Sequence, residues 1–338
     1  PIEAVGAVLA EDVAVAAPHP ATATALRAGW AVASVETVGA SPYAPATPAR
    51  LVAVAAGETL PAGCDAVAPV EAVSRDFGFA ALQQAVAPGE NVRRTGEDLA
   101  AGTRLAAAGT RLTSPAALLA AAIGRTSVVV RRPTLRIVAG PDPAADLGAR
   151  WLAADLANAG IATRRAELAA LPDTTGADAV LIVGGAEIGI DDPALVAARA
   201  AAEEIGHGVA LRGAESLAWG QIGGRPMLVI PSRPEALAIA RLALVGPLVA
   251  ALAGETTAPP VETRRLARKL VSDVGFAEIA LLARDGDAWR PLATGAVAWS
   301  ALASAEAFVE LPPESEGLAE GTALSATPLA PPTHRSIA

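Results

Sequence analysis

An apolar run that stops at a pair of glycines constrains this chain more than any other feature. In Ala177 to Asp192, ADAVLIVGGAEIGIDD, residues Ala179 to Val183 are apolar and rich in β-branched side chains, Gly184-Gly185 ends the run, and Pro193 opens a helical pattern. The segment reads as a buried parallel strand, a glycine turn and a helix start. Glycines at the C-terminal end of such a strand let backbone N–H groups approach an anion, and the helix N-terminus adds partial positive charge. Ligands of open α/β sheets bind at that end of the strands. A tight turn without a ligand is the competing reading of the same residues.

The segment sits in an alternating block. A strand over 134–139, a helix over about 145–159 ending at Gly160, the strand 179–183, a helix over 193–205 ending at Gly206, strands near 208–212 and 226–230, and a long helix over about 234–252 follow one another. Such alternation implies right-handed crossovers and a mainly parallel, doubly wound sheet. A second helix N-terminus suited to an anion follows Pro231-Ser232-Arg233-Pro234. Upstream, Pro1 to Val15 has helical spacing through Leu9 and then a strand-like end, residues 21–100 form short β runs punctuated by Gly and Pro, and Asn91 to Asp98 is a polar loop. Thr113-Ser114-Pro115 caps a helix over 116–123 that ends at Gly124, and Ser127 to Pro133 reads as a strand. From Glu255 the pattern is β again, with a hairpin at Asp285-Gly286 and a tail from Pro331 expected to be disordered.

Charge and residue counts exclude several chemistries. The formal net charge of -9 argues against a nucleic-acid partner, and no apolar run of about 18 residues free of charge or Pro offers a membrane span. Cys64 is the single cysteine, which excludes an intrachain disulfide and suits the cytoplasm; with three scattered histidines, His19, His207 and His334, it forms no zinc-type cluster. No signal peptide is visible at Pro1, where the chain begins inside a domain pattern. Lys269 is the only lysine, so a Walker A motif is absent. Positive charge at any other site must come from Arg or from backbone dipoles.

The motifs, taken in order, resemble the MoeA family, the molybdopterin molybdenumtransferases related to the gephyrin E domain. LAEDV at 9–13, LPAGCDAV at 60–67, NVRRTGEDLAAG at 91–102, AGTRLTSPAALLAAAIG at 108–124, VGGAEIGIDD at 183–192 and WGQIGGRPMLVIP at 219–231 carry the likeness across almost the whole chain. The resemblance implies a multidomain α/β fold: a discontinuous first domain (1–20 and 101–133), an inserted β domain (21–100), a molybdopterin-binding α/β domain (134–254) and a C-terminal β barrel (255–338). It also implies a cytoplasmic homodimer.

Several family motifs are altered here. Where the family has Ser-Ala-x-Asp-Gly-Tyr-Ala, this chain has Ala25-Leu26-Arg27-Ala28-Gly29-Trp30-Ala31, so Ala28 replaces a carboxylate, and the family's Thr-Gly is Ala56-Gly57. Thr-Gly-Asp-Glu becomes Ala139-Gly140-Pro141-Asp142, and Glu187 replaces a serine in the glycine loop. Lys-Pro-Gly-Lys-Pro becomes Arg212-Gly213-Ala214-Glu215-Ser216, a further lysine aligns with Gly208, Pro-Gly-Asn-Pro is Pro231-Ser232-Arg233-Pro234, and a barrel serine aligns with Ala296. Asp98, Asp142 and Asp192 are the carboxylates that match catalytic positions, and Gly184, Gly185, Gly189, Arg212, Ser232 and Arg233 match the ligand-binding ones. For each, a structural role competes: a turn at Asp98, a helix cap at Asp192, a solvated arm at Arg212. Arg233 precedes a helix, where a cation is unfavourable unless an anion joins it.

The family reaction inserts molybdate into the dithiolene of adenylylated molybdopterin and releases AMP; molybdate and Mg²⁺ are implied only for an active chain, and no residue is assigned as a metal ligand. Every reactant is anionic, so the site needs cations, and losing one positioned donor typically costs about 10² to 10³ in rate. Two of the three aligned lysines are gone, and Arg is not an equivalent substitute for the third. Three readings follow: a protein that binds molybdopterin or molybdenum cofactor with little or no insertase activity, an active molybdenumtransferase with a remodelled site, and a non-binding structural or regulatory dimer.

Overall fold

The computed structural model describes residues 1–76, 79–295 and 297–329. Ala296 and the tail from residue 330 lie outside the described residues. The chain forms two compact units: Pro1–Val5, Glu11–Ala108 and Leu112–Val128 make the first, and Gly6–Ala10, Gly109–Arg111 and everything from Val129 onward make the second.

The first unit is built from short strands. Val52–Val54, Gly29–Val32 and Ala66–Pro69 form a three-stranded antiparallel sheet with Gly29–Val32 at its centre. A Cβ at Gly29 would lie 2.2 Å from the Ala68 carbonyl oxygen, so the two strands approach more closely there than any side chain permits. The helix Ser114–Ala122 begins where Thr113 accepts the Ala116 amide. The helical spacing at the start of the chain produces only the 3₁₀ turn Ile2–Ala4. Gly6, at φ +84°, then leaves helical geometry, and Val8–Leu9 is a strand paired with Val130–Arg131 in the second unit. Val130–Arg131 is all that forms of the strand expected over Ser127 to Pro133.

The second unit holds a six-stranded sheet and a closed barrel. The sheet order is Ala162–Glu167, Thr134–Ala139, Ala179–Val183, Arg225–Ile230, Ala218–Ile222, Glu204–His207; the first four pair in parallel, and Ala218–Ile222 pairs antiparallel with both of its neighbours. Ala179, Leu181 and Val183 pack with the helix Pro143–Asn158 on one face, and Val180 and Ile182 pack with the helix Pro193–Ala201 on the other. That two-sided burial explains why this strand is an unbroken apolar run.

Two strands escape the apolar pattern. Ala162–Glu167 is an exposed edge carrying Arg164 and Arg165. Ala218–Ile222 contains Gly220, where a Cβ would lie 2.0 Å from the Glu204 carbonyl oxygen, while the Trp219 ring covers Gly206. This pairing also ends the preceding helix at Ala201 instead of residue 205, and places the next strand at Glu204–His207 instead of 208–212.

The helix from Pro234 to Leu252 runs through a π turn at Arg241–Val245; it is long and apolar enough to cross a membrane by length and composition, and Leu237, Ala240, Val245 and Val249 face the sheet. The barrel closes in the order Glu262–Leu266, Ala288–Ala293, Glu278–Asp285, Ala307–Leu311, Ala323–Pro328, with Gly286 at φ +56° turning the hairpin.

Candidate functional site

Parallel strands end at one edge of a sheet, so the loops after Thr134–Ala139, Ala179–Val183 and Arg225–Ile230 converge there. The Gly184 amide donates to the Ile230 carbonyl at 3.0 Å, the Gly140 amide to the Val183 carbonyl at 2.8 Å, and the Ser232 amide to the Gly185 carbonyl at 2.9 Å. These bonds tie the three loops into one surface. A Cβ at Gly184 would lie 2.4 Å from Ile188 Cδ1, and one at Gly185 would lie 2.9 Å from Asp192 Oδ2, whereas one at Gly189 meets nothing within 4 Å. A side chain at Gly184 or Gly185 would therefore have to displace Ile188 or Asp192.

A helix starts after each loop, and the three starts differ. Asp142 Oδ1 accepts the Ala144 amide at 2.8 Å, and Asp192 Oδ1 accepts the amides of Ala194 and Leu195 at 2.8 and 3.2 Å. Asp192 Oδ2 also accepts the Gly185 amide at 2.8 Å. Both aspartates thus satisfy orphan helix donors and meet the positive end of the helix dipole. Arg233 precedes the third helix and gives it no side-chain cap. Beside it, Ser232 is 5% exposed, and among the described residues neither its Oγ nor the buried Nε of Arg233 has a hydrogen-bond partner. Glu235 Oε1 lies 3.7 Å from Arg233 Nε, and its Oε2 accepts the Trp299 indole at 2.9 Å. Unsatisfied buried donors at an uncapped helix N-terminus are the arrangement that an anion completes.

Arg212 lies elsewhere, where the sheet meets the barrel. Its amide donates to the Ala277 carbonyl at 2.9 Å, and its guanidinium stacks on Phe276 at 3.8 Å. Three carboxylates surround it: Glu215 at 3.5 Å, Asp273 at 3.4 Å and Glu278 at 4.0 Å. Glu278 is 2% exposed, and its Oε2 accepts from Ser272 Oγ at 2.6 Å and from the Asp273 amide at 3.1 Å. One cation against three carboxylates leaves the immediate surroundings negative. A cavity of about 380 Å³ adjoins Glu278, with Arg268, Asp273 and the sole lysine, Lys269, in its walls.

Comparison with known proteins agrees with this architecture. A family model described as the MoeA N-terminal region (domain I and II) matches residues 1–124. Over 375 residues the chain is 28% identical to molybdopterin molybdenumtransferase 2 of Mycobacterium tuberculosis (strain CDC 1551 / Oshkosh), covering 95% of this chain and 92% of that protein. The crystal structure of a molybdopterin biosynthesis MoeA protein from Pyrococcus superposes with a TM-score of 0.75 at 24% identity, covering 98% of this chain and 94% of that one. Residues 1–124 thus match the MoeA N-terminal region, and nearly the whole chain is similar to a molybdopterin molybdenumtransferase. A second MoeA structure, from Pyrococcus horikoshii OT3, superposes with a TM-score of 0.71 at 21% identity over 96% of this chain and 92% of that one.

The carboxylates that match the family's catalytic positions are occupied structurally. Asp98 lies in the first unit, where its Oδ2 is 3.2 Å from Arg93 Nη1 and its amide donates to the His19 carbonyl. Among the described residues no group of three or more His, Cys, Asp or Glu side chains is placed to hold a metal. Glu187, which replaces a family serine, is exposed on the loop, and Ala296 lies outside the described residues. Four residues whose contacts the motifs do not reveal complete the picture: Ser216, the last residue of the altered lysine motif, and His207, which bind the glycine loop, and Glu278 and Phe276, which enclose Arg212. No local pattern marks these contacts, because each joins residues at least 19 positions apart in the chain.

Proposed function

We propose that this chain is a protein of molybdenum cofactor biosynthesis that binds molybdopterin, or the finished molybdenum cofactor, and has little or no insertase activity. The phosphate of the ligand sits at the N-terminus of the helix from Pro234, with the Gly184–Gly189 loop beside it. The observation that carries this reading is the pair of buried donors without a hydrogen-bond partner among the described residues, Ser232 Oγ and Arg233 Nε, the latter only in a 3.7 Å ion pair with Glu235, at the one helix start of the three that lacks a side-chain cap. A phosphate there would accept from both donors and from the helix amides.

The surroundings of Arg212 support the absence of insertase chemistry. A guanidinium already faced by Glu215, Asp273 and Glu278 has little field left for molybdate or for a departing AMP. The second reading, an active molybdenumtransferase, is favoured by the M. tuberculosis relative, which carries that activity in its name across nearly the whole chain. We further propose a cytoplasmic homodimer, from the family and the single cysteine.

Two measurements test this. Titration of the purified chain with molybdopterin should give saturable binding that Ser232→Ala weakens; absence of binding in the wild type refutes the assignment. Molybdate-dependent formation of cofactor by the same protein should stay at background, and robust turnover would instead establish the transferase.

A further inference from the structure

Among the described residues of the 184–191 loop, Ile188 is the one whose two backbone polar atoms are both held by side chains. Its amide donates to Ser216 Oγ at 3.1 Å, and its carbonyl lies 2.9 Å from His207 Nε2. A carbonyl only accepts, so Nε2 carries the proton in this contact. His207 ends the edge strand Glu204–His207, and Ser216 lies in the turn leading to Ala218–Ile222. The strands pair His207 with Ala218, which fixes the separation of the two side chains. The Ile188 side chain is buried in the sheet core, so the residue is anchored on three sides.

We propose that His207 and Ser216 are positioning residues for the anion site, holding the loop ready for its ligand. This rests on the reading of the Ser232 region given above. Ala186 and Glu187 are exposed, and their amides make no hydrogen bond to a described residue. Pinned at Ile188 on one side and by the Gly185 bonds to Asp192 and Ser232 on the other, those two amides are held in one orientation. Without the pins an exposed segment samples many conformations, and a ligand must order it on binding.

The test uses the full chain, ¹⁵N-labelled, titrated with inorganic phosphate while the amide signals of Ala186, Glu187 and Ser232 are followed. Ser216→Ala and His207→Ala should each weaken phosphate binding about 3- to 10-fold, the effect of one lost hydrogen bond. Ser216→Thr keeps the hydroxyl and His207→Gln keeps an N–H donor, so both should bind within about twofold of wild type. Hydrogen exchange at the Ile188 amide, without ligand, should accelerate in Ser216→Ala and not in Ser216→Thr.

Alanine variants that bind like wild type overturn the proposal, and so does equal weakening in the alanine and conservative variants. Binding that Ser232→Ala abolishes but these four variants leave untouched removes the positioning role and keeps the anion site. A wild type that gives no response to phosphate removes both.

Discussion

The carboxylate of Asp192 accepts the amide of Gly185 at 2.8 Å, seven residues back along the chain. Its other oxygen caps the helix that follows, so one side chain closes the loop between strand and helix. Asp142, at the equivalent place one strand over, makes a single capping bond from an exposed position.

The two aspartates should therefore differ in their effect on stability. Loss of a cap costs about 0.5–2 kcal/mol, and an unpaired amide adds about 1–3 kcal/mol. Asp192→Ala should lower the urea midpoint clearly more than Asp142→Ala. Equal shifts would show that the bond to Gly185 is worth little.

Ser232→Ala should behave unlike most substitutions of a buried polar residue. Among the described residues the hydroxyl has no hydrogen-bond partner, so its removal abolishes a desolvation cost without breaking a bond. Thermal unfolding without ligand should be unchanged or raised by up to about 1 kcal/mol of stability, while ligand binding weakens. A marked loss of stability would mean that the hydroxyl is satisfied in solution.

The loop glycines should separate by position. Gly184→Ala forces a methyl within 2.4 Å of Ile188 Cδ1 and should cost about 1–3 kcal/mol. Gly189→Ala meets nothing within 4 Å and should be nearly neutral. Chemical denaturation of both variants decides the matter, and a neutral Gly184→Ala would contradict the packing described.

Arg212→Met should destabilise the second unit, because it leaves the buried Glu278 without its neighbouring cation. Arg212 is partly exposed and the Glu278 contact is long, so the cost is discounted to about 1–2 kcal/mol. Glu215→Gln, a half-exposed partner, should change stability by no more than about 0.5 kcal/mol. Urea unfolding of the two variants, with the opposite order of effects, would rule out a structural role for the Arg212–Glu278 contact.

The barrel should lose stability on its acid side. Hydrogen bonds from the Arg284 side chain hold Glu262 below the usual carboxylate range, and the Arg284 amide, then its side chain, does the same for Glu306. A carboxylate depressed in the folded state contributes stability above its unfolded pKa, and that contribution disappears as pH falls through the folded value. Trp289 reports on this network, since its indole donates to the Glu262 carbonyl and both Arg264 and Arg284 lie within 5.5 Å of its ring. Its fluorescence should show the barrel weakening below the ordinary carboxylate range, and Arg284→Leu should flatten that dependence. An unchanged acid limb in the variant would contradict the assignment.

Much of the architecture was already legible along the chain because the forces concerned are local. A strand buried on both faces must be apolar at every position, so Ala179 to Val183 announces itself. A helix must begin by satisfying free amides, so Thr113 and Asp192, each followed within two residues by proline, mark two helix starts, while the cap at Asp142 begins a third two residues before the expected 145. Asp285-Gly286 marks the barrel hairpin in the same way. The family motifs added the order of these pieces.

Only the folded molecule decided what the candidate residues are engaged with. Ala162–Glu167 and Ala218–Ile222 become strands because neighbours accept them, one as an exposed edge and one through glycines that let backbones approach. Arg212 reads as a free cation until the fold brings Asp273 and Glu278, more than sixty residues further on, against it. Ser232 reads as one serine in a turn until burial leaves its hydroxyl without a hydrogen-bond partner among the described residues. Periodicity and capping depend on neighbours a few positions apart, so the chain itself encodes them; charge balance and hydrogen-bond satisfaction depend on which distant groups share a space, and tertiary packing alone settles that.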